Sequence, residues 1–293
     1  MRLLIDTDIG DDIDDILTIG WALEKGVELV GITTVYREAK QRLAIVKDIL
    51  KIADREDIPA LEGHSISLTS YARKLGQLNY KSQSEVEGND PNKAVDFILD
   101  AVTRYDDLII LPIGAQTNIA LACQKAPEIM KNAKLVIMGG SFFTHTDEWN
   151  IACDPIAAKI VIDTCENITY VPWDVTRNIC IGPDNYKAIL GLNDENLRGC
   201  IANFVKMWSK KNCYIPLLHD PAAFYYCLHP ECFSIKKTAV KVVTEGDCMG
   251  MTLNLNYLCG GIQDKKQYKV IDLVENAESD KIISEFMNNV FNI

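Results

Sequence analysis

Residues 2–15 read Arg2-Leu3-Leu4-Ile5-Asp6-Thr7-Asp8-Ile9-Gly10-Asp11-Asp12-Ile13-Asp14-Asp15. The apolar run Leu3-Leu4-Ile5 is short and is followed at once by polar residues and Gly10, which reads as a buried strand. From about residue 12 onward, Ile13, Ile16, Leu17, Ile19, Trp21 and Leu23 read as a helix. The carboxylates therefore sit at the carboxyl end of a strand and the amino end of a helix, where open α/β sheets bind ligands. A helix amino end favours negative charge, so one reading is a solvated acidic loop with a helix cap. The other is a set of carboxylates converging on a cation, and hard oxygen ligands select calcium or magnesium over zinc.

Working outward, residues 28–35 are rich in β-branched side chains and read as a second strand. A helix over about 38–54 carries Leu43, Ile45, Val46, Ile49 and Leu50 at helical spacing. Two strands joined by a helix predict a parallel sheet. Residues 62–90 are polar and interrupted by Gly63, Gly76 and Gly88, which predicts a long surface loop. Asp90-Pro91 opens a helix to about Arg104. Strands follow at 108–111 and 135–138, with a helix between them that Thr117 or Asn118 would cap. Asp154-Pro155 caps a helix to about Cys165, and a strand at 168–173 leads to Asp174. Helices are expected at 183–190, 194–211 and, from Asp220-Pro221, to about 228. Segments 238–244 and 251–256 read as strands paired at a sheet edge, and Ile282, Ile283, Phe286 and Val290 mark a closing helix. The expectation is α/β: residues 1–293 as a single domain, with an open, mixed, mostly parallel Rossmann-like sheet flanked by helices.

Composition narrows the function. A content of 48% apolar and 24% charged residues is that of a soluble globular protein. A net charge of −11 argues against nucleic acid as a partner. No apolar run approaches the ~20 residues of a membrane span, and no secretory signal is visible. Ten cysteines without CxxC pairs read as reduced thiols of a cytoplasmic protein, with no zinc-ligand spacing.

The opening stretch resembles the Asp-rich DxDPGxDD motif of the inosine–uridine-type nucleoside hydrolases, with Ile9 at the proline position and a longer interval between Gly10 and Asp14-Asp15. Three later segments carry the same resemblance. Pro112-Ile113-Gly114-Ala115-Gln116-Thr117-Asn118-Ile119-Ala120 is similar to the P-x-G-x-x-T-N-I-A element, Glu148-Trp149-Asn150 with Asp154-Pro155 to E-F-N…D-P, and His219-Asp220-Pro221 to H-D-P. Gly250-Met251-Thr252 is a weaker, structural echo.

The resemblance implies hydrolysis of the N-glycosidic bond of a ribonucleoside by a homodimer or homotetramer. It implies Ca2+ held by Asp8, Asp15, Asp220 and the Ile113 carbonyl, and Asp8 as general base. Glu148 and Asn150 would bind ribose hydroxyls, Trp149 would pack below the sugar, and Asp14 or Asp12 would take the 2′ hydroxyl. His219, with an ordinary pKa near 6.5, would protonate the leaving base. Taken alone, Asp154 and Asp220 both read as helix caps. Where the family often has Gly-Asn after the second strand, this chain reads Val35-Tyr36-Arg37-Glu38, so Glu38 is expected to fill that space, and His145 is a further candidate for reaching the base. Two alternatives remain. One is a weak or inactive binder of calcium and nucleoside on the same fold. The other is a haloacid-dehalogenase-type phosphatase, which shares a DxD after its first strand but lacks support at Gly10 and Gly246-Asp247.

Overall fold

Leu3, Leu4 and Ile5 are wholly buried in the first strand, β1 (Arg2–Thr7). The computed structural model describes residues 1–70, 78–82, 84–256 and 268–293. The further strands are β2 (Glu28–Thr34), β3 (Ala60–Glu62), β4 (Leu108–Pro112), β5 (Lys134–Met138), β6 (Asn167–Val171), β7 (Phe233–Val242), β8 (Thr252–Asn254) and β9 (Val270–Ala277). They form one open nine-stranded sheet in the order β3-β2-β1-β4-β5-β6-β9-β7-β8. Neighbours from β3 through to β9 pair in parallel, while β7 pairs antiparallel with β9 and β8.

Helices cover both faces: α1 (Asp14–Glu24), α2 (Ala39–Ile52), α3 (Asn92–Arg104), α4 (Thr117–Lys125), α5 (Pro127–Met130), α6 (Trp149–Cys153), α7 (Pro155–Thr164), α8 (Trp173–Thr176), α9 (Pro183–Gly191), α10 (Leu197–Ser209), α11 (His219–Leu228) and α12 (Ser279–Phe286). Among the described residues no helix is long and apolar enough to cross a membrane. One core lies between the sheet and α1, α2, α10, α11 and α12, and a second lies under α3, α4 and α7.

Strand order reverses at β1. The chain first builds outward through β2 and β3, then returns to place β4 on the other side of β1. The crevice above such a switch point is the expected ligand site. Packing draws the distant α11 to it. Trp21 of α1 stacks on Tyr225 at 5.5 Å and meets Phe224 edge-on at 5.5 Å and Phe286 at 5.3 Å. Such pairs contribute about 0.5–1.5 kcal/mol each beyond their buried area, and they pin the carboxylate-bearing starts of α1 and α11 side by side.

Four local expectations are corrected. The 62–90 stretch is not merely surface: Tyr80 is buried, accepts from the Gly10 amide at 3.1 Å, donates to the Asp12 carbonyl at 2.7 Å and packs on Phe204. Residues 71–77 and 83 of that stretch lie outside the described residues. Neither Thr117 nor Asn118 caps α4; the Thr117 hydroxyl donates to Asp154 and the Asn118 amide to Asp6, both at 2.7 Å. The strand expected to reach Trp173 stops at Val171, because Trp173 already belongs to α8. β3 and β9 were not anticipated at all, and β9 separates β6 from the antiparallel edge.

Candidate active site

A cavity of about 540 Å3 opens at the switch point. Asp8, Asp12, Asp14, Asp15, Ile113, Glu148, Trp149, Asn150, His219 and Asp220 all line it, whereas Glu38 and His145, the other two candidates from the sequence, do not. The residue just past β1 is Asp8, the start of α1 delivers Asp14 and Asp15, the turn after β4 delivers Ile113, and the start of α11 delivers His219 and Asp220.

The turn after β4 comes very close to Asp8. A Cβ at Gly114 would lie 2.8 Å from the Asp8 amide nitrogen and 2.9 Å from its Oδ1, so only glycine fits there without displacement. Gly10 turns the chain at φ +122°, in a region L side chains rarely adopt.

Asp14, Asp15 and Asp220 are buried, and one oxygen of each lies within 4.8 Å of the others. Few donors serve them. Asp15 accepts from the Thr7 hydroxyl, and Asp14 faces the Asp220 amide at a long 3.4 Å. Burial, together with Asp8 and Asp14 beside it, pushes Asp15 well above the usual carboxylate range. Burial and the neighbouring Asp12 and Asp8 do the same to Asp14. Burial and the charges of Asp14 and Asp15 act likewise on Asp220. Asp8 is pushed up to about 7 by burial, against the nearby Arg42 guanidinium that favours its ionised form. Like charges crowded into a dry pocket repel unless a cation joins them. An all-oxygen donor set of this kind fits a hard divalent ion. Asp8 lines the cavity beside this trio, and Asp14 takes the third place in it.

The remaining candidates differ in how far the chain has already engaged them. Asp12 is half-committed: Oδ1 accepts from the Ile13 amide at 2.7 Å and Oδ2 from the Tyr214 hydroxyl at 3.3 Å. Glu148 accepts from the Gly140, Asn150 and Ile151 amides at 2.9, 2.9 and 3.1 Å, capping α6 while facing the cavity. Three of its roughly four lone-pair sites are thus taken. The Asn150 amide donates to the Ile113 and Met138 carbonyls at 3.2 and 3.3 Å, so its oxygen is the atom left for a ligand. Trp149 is 41% exposed at the rim. His219 Nδ1 pairs with the Thr176 hydroxyl at 2.7 Å, and burial lowers its pKa to about 4. The expectation of a titration near 6.5 is therefore corrected: this imidazole is neutral at neutral pH.

Glu38 is not a cavity group. It is exposed and accepts from Gln41. In its stead Tyr36 is buried after β2, in a small apolar cluster with Val35, Ala115 and Cys153. His145 turns instead to the Thr252 carbonyl at 3.1 Å. Asp154 is a cap, accepting from the Ala157 amide at 3.2 Å, but Asp220 caps nothing, since α11 begins one residue earlier without a side-chain cap.

The sequence model of the "Inosine-uridine preferring nucleoside hydrolase" family matches residues 3–283. The chain belongs to this family. It is 30% identical over 274 residues to uridine nucleosidase 1 of Arabidopsis thaliana, covering 86% of this chain and 81% of that protein. It is 27% identical over 278 residues to the inosine-uridine preferring nucleoside hydrolase of Leishmania major, covering 86% and 87%. The solved structure of a purine-preferring ribonucleoside hydrolase from Gardnerella vaginalis matches 99% of this chain and 98% of its own, at 26% identity and a TM-score of 0.78. This membership, with the match of nearly the whole chain to a solved ribonucleoside hydrolase, displaces the phosphatase alternative.

Several cavity residues escaped the sequence reading. Asp11, Asn79, Met138, Thr146, Asp147, Trp173, Asn212 and Tyr214 also line it. Arg42 lies just behind the wall, 1% exposed, against the acidic loop. It had a signal: on α2 it falls on the same face as Ile45, Val46 and Ile49, the face that is buried.

Proposed function

We propose that the chain hydrolyses the N-glycosidic bond of ribonucleosides to free base and ribose, with calcium as its resident ion. One observation carries the reading: Asp8, Asp14 and Asp15 from the start of the chain share a single cavity with Asp220, Glu148 and Asn150. Asp8, Asp15, Asp220 and the Ile113 carbonyl would hold the ion. When bound, the ion would supply Lewis acidity and a fixed positive charge to the cavity.

Asp8 acts as general base and accepts a proton from the attacking water. Asp14, which lines the cavity at the edge of the ion site while Asp12 is tied to Tyr214, accepts from the 2′ hydroxyl. The oxygens of Glu148 and Asn150 accept from other ribose hydroxyls, and Trp149 covers the sugar. The sugar passes through an oxocarbenium-like state, and preorganised carboxylates around the ring stabilise its positive charge. The C–N bonding pair leaves with the base, which takes its proton from solvent: neutral His219, with Nδ1 engaged by Thr176, faces the base as a hydrogen-bond partner through Nε2 and not as the proton donor the sequence suggested. A cytoplasmic homodimer or homotetramer serving nucleoside salvage completes the reading, supported by the family and by the free cysteines among the described residues.

A reducing-sugar assay over purine and pyrimidine ribonucleosides, with and without a calcium chelator, tests this. Ribose release that the chelator abolishes and added calcium restores is expected. Stabilisation by nucleosides without product from any of them would overturn it in favour of a binding protein.

A further inference from the structure

The reaction scheme leaves a buried cation unused. Arg42, in the first turn of α2, is 1% exposed and reaches the ends of two neighbouring strands at once. Its Nη1 donates to the Asp8 carbonyl and, at 2.9 Å, to the Ile9 carbonyl. Its Nη2 donates to Asp11 Oδ2 at 3.1 Å, and its Nε donates to the Tyr36 carbonyl at 2.9 Å. A planar guanidinium can serve four acceptors in fixed directions, and a lysine ammonium cannot.

The segments it joins need such a tie. Asp11 belongs to the interval between Gly10 and Asp14-Asp15 that is longer here than in the family motif. On the other side, Tyr36 and Arg37 both sit in the left-handed region, at φ +71° and +52°. Non-glycine residues keep such conformations only where their surroundings over-determine them. The Tyr36 and Arg37 amides donate to the His64 and Ser65 carbonyls at 2.8 and 2.7 Å, and Arg42 takes the Tyr36 carbonyl. Asp8 is thereby gripped twice, with its carbonyl on Arg42 and its amide and side chain against Gly114.

We propose that Arg42 is a positioning residue for the hydrolysis: its guanidinium fixes the main chain of residues 8–11, with Asp11 as counter-ion, and so keeps the Asp8 carboxylate aimed into the cavity. The proposal rests on the hydrolase reading above and adds to it a residue that touches no substrate.

The test compares wild type, Arg42→Lys and Asp11→Asn at saturating calcium, each checked for fold by circular dichroism, with kcat and KM measured for one ribonucleoside. Arg42→Lys keeps the charge and loses the fork. The expected result is a fall of about 10²-fold in kcat with KM within about threefold, the cost of a small misplacement of a reacting group. Asp11→Asn, which leaves the main-chain contacts in place, should lower kcat by about fivefold at unchanged KM. A folded Arg42→Lys protein with kcat within threefold of wild type, or one altered in KM alone, overturns the proposal. Should Arg42→Lys not fold, Asp11→Asn decides: a lowered kcat supports the proposal and an unchanged one overturns it. A wild-type protein that releases no ribose from any nucleoside refutes the hydrolase reading itself, an outcome separate from an active wild type with an equally active Arg42→Lys.

Discussion

Asp154-Pro155-Ile156-Ala157 and Asp220-Pro221-Ala222-Ala223 are near copies in sequence. Both are buried, and both stand at the start of a helix. Their surroundings are opposite. Asp154 accepts from the Leu68, Thr69 and Ala157 amides and from the Thr69 and Thr117 hydroxyls, at 2.7–3.2 Å. Asp220 instead stands among Asp14, Asp15, Asp8 and Asp12, whose charges raise its pKa further. A carboxylate with five donors is satisfied by the fold and holds it together. One surrounded by other carboxylates is satisfied only by something from outside. The number of donors around the acid, and not its burial, is what differs between these two aspartates.

The strongest challenge to this contrast is Asp8→Ala. If the poorly donated acids are the machinery, turnover falls by about 10³-fold while circular dichroism and the thermal midpoint stay near wild type. A near wild-type rate removes Asp8 as base. Asp220→Asn comes next. Wild type at calcium one hundred times its dissociation constant should gain roughly 2.7 kcal/mol of stability. The Asn variant should gain less than half of that and lose about 10²-fold in kcat. In chelator it should be no less stable than wild type, because it removes one of several mutually repelling buried charges. A calcium-induced shift equal to that of wild type would remove Asp220 from the ligand set.

Asp154→Ala is the mirror experiment. It strands the Leu68 and Thr69 amides and removes the α7 cap, which together cost roughly 3 kcal/mol. Calorimetry should show the lowered midpoint, while kcat per folded molecule and the calcium shift stay within about twofold of wild type. A selective loss of turnover at full stability would erase the distinction between the two Asp-Pro sites.

Much of this was legible in the sequence because it is local. The apolar triplet before the acidic run, the proline-opened helices and the glycine-ended strands are short-range signals. The family motifs then named the residues that meet in the cavity. What stayed hidden is what depends on pairing at a distance. Nothing near Val270–Ala277 announces that this strand slots between β6 and β7, and three-residue β3 is too short to show a pattern. The roles of Asp154 and Asp220 were indistinguishable because their donors come from elsewhere in the chain: residues 68, 69 and 117 for one, none of comparable number for the other. His219 looked like an ordinary titrating imidazole because burial is a tertiary property. Arg42 did carry a helical-face signal, but an arginine on an amphipathic helix reads by default as a solvated charge.

A smaller effect bears on what directs an acid that has few donors. Asp8 depends for its direction on contact as well as on Arg42, and Gly114 supplies the contact. A methyl at residue 114 would sit 2.8 Å from a backbone nitrogen and 3.0 Å from the Asp8 Cβ, so the β4 turn or Asp8 must move by a few tenths of an ångström. Shifts of about 1 Å in a reacting group cost ~10²-fold, so Gly114→Ala should lower kcat by about tenfold with KM nearly unchanged. Gly191, at the end of α9, has nothing within 4 Å of its would-be Cβ and serves as the control. Gly191→Ala should keep the wild-type rate and lose no stability. Equal rates for the two alanine variants would mean that Asp8 is not directed by this contact. The distinction between acids held by donors and acids held by shape would then have to rest on Arg42 alone.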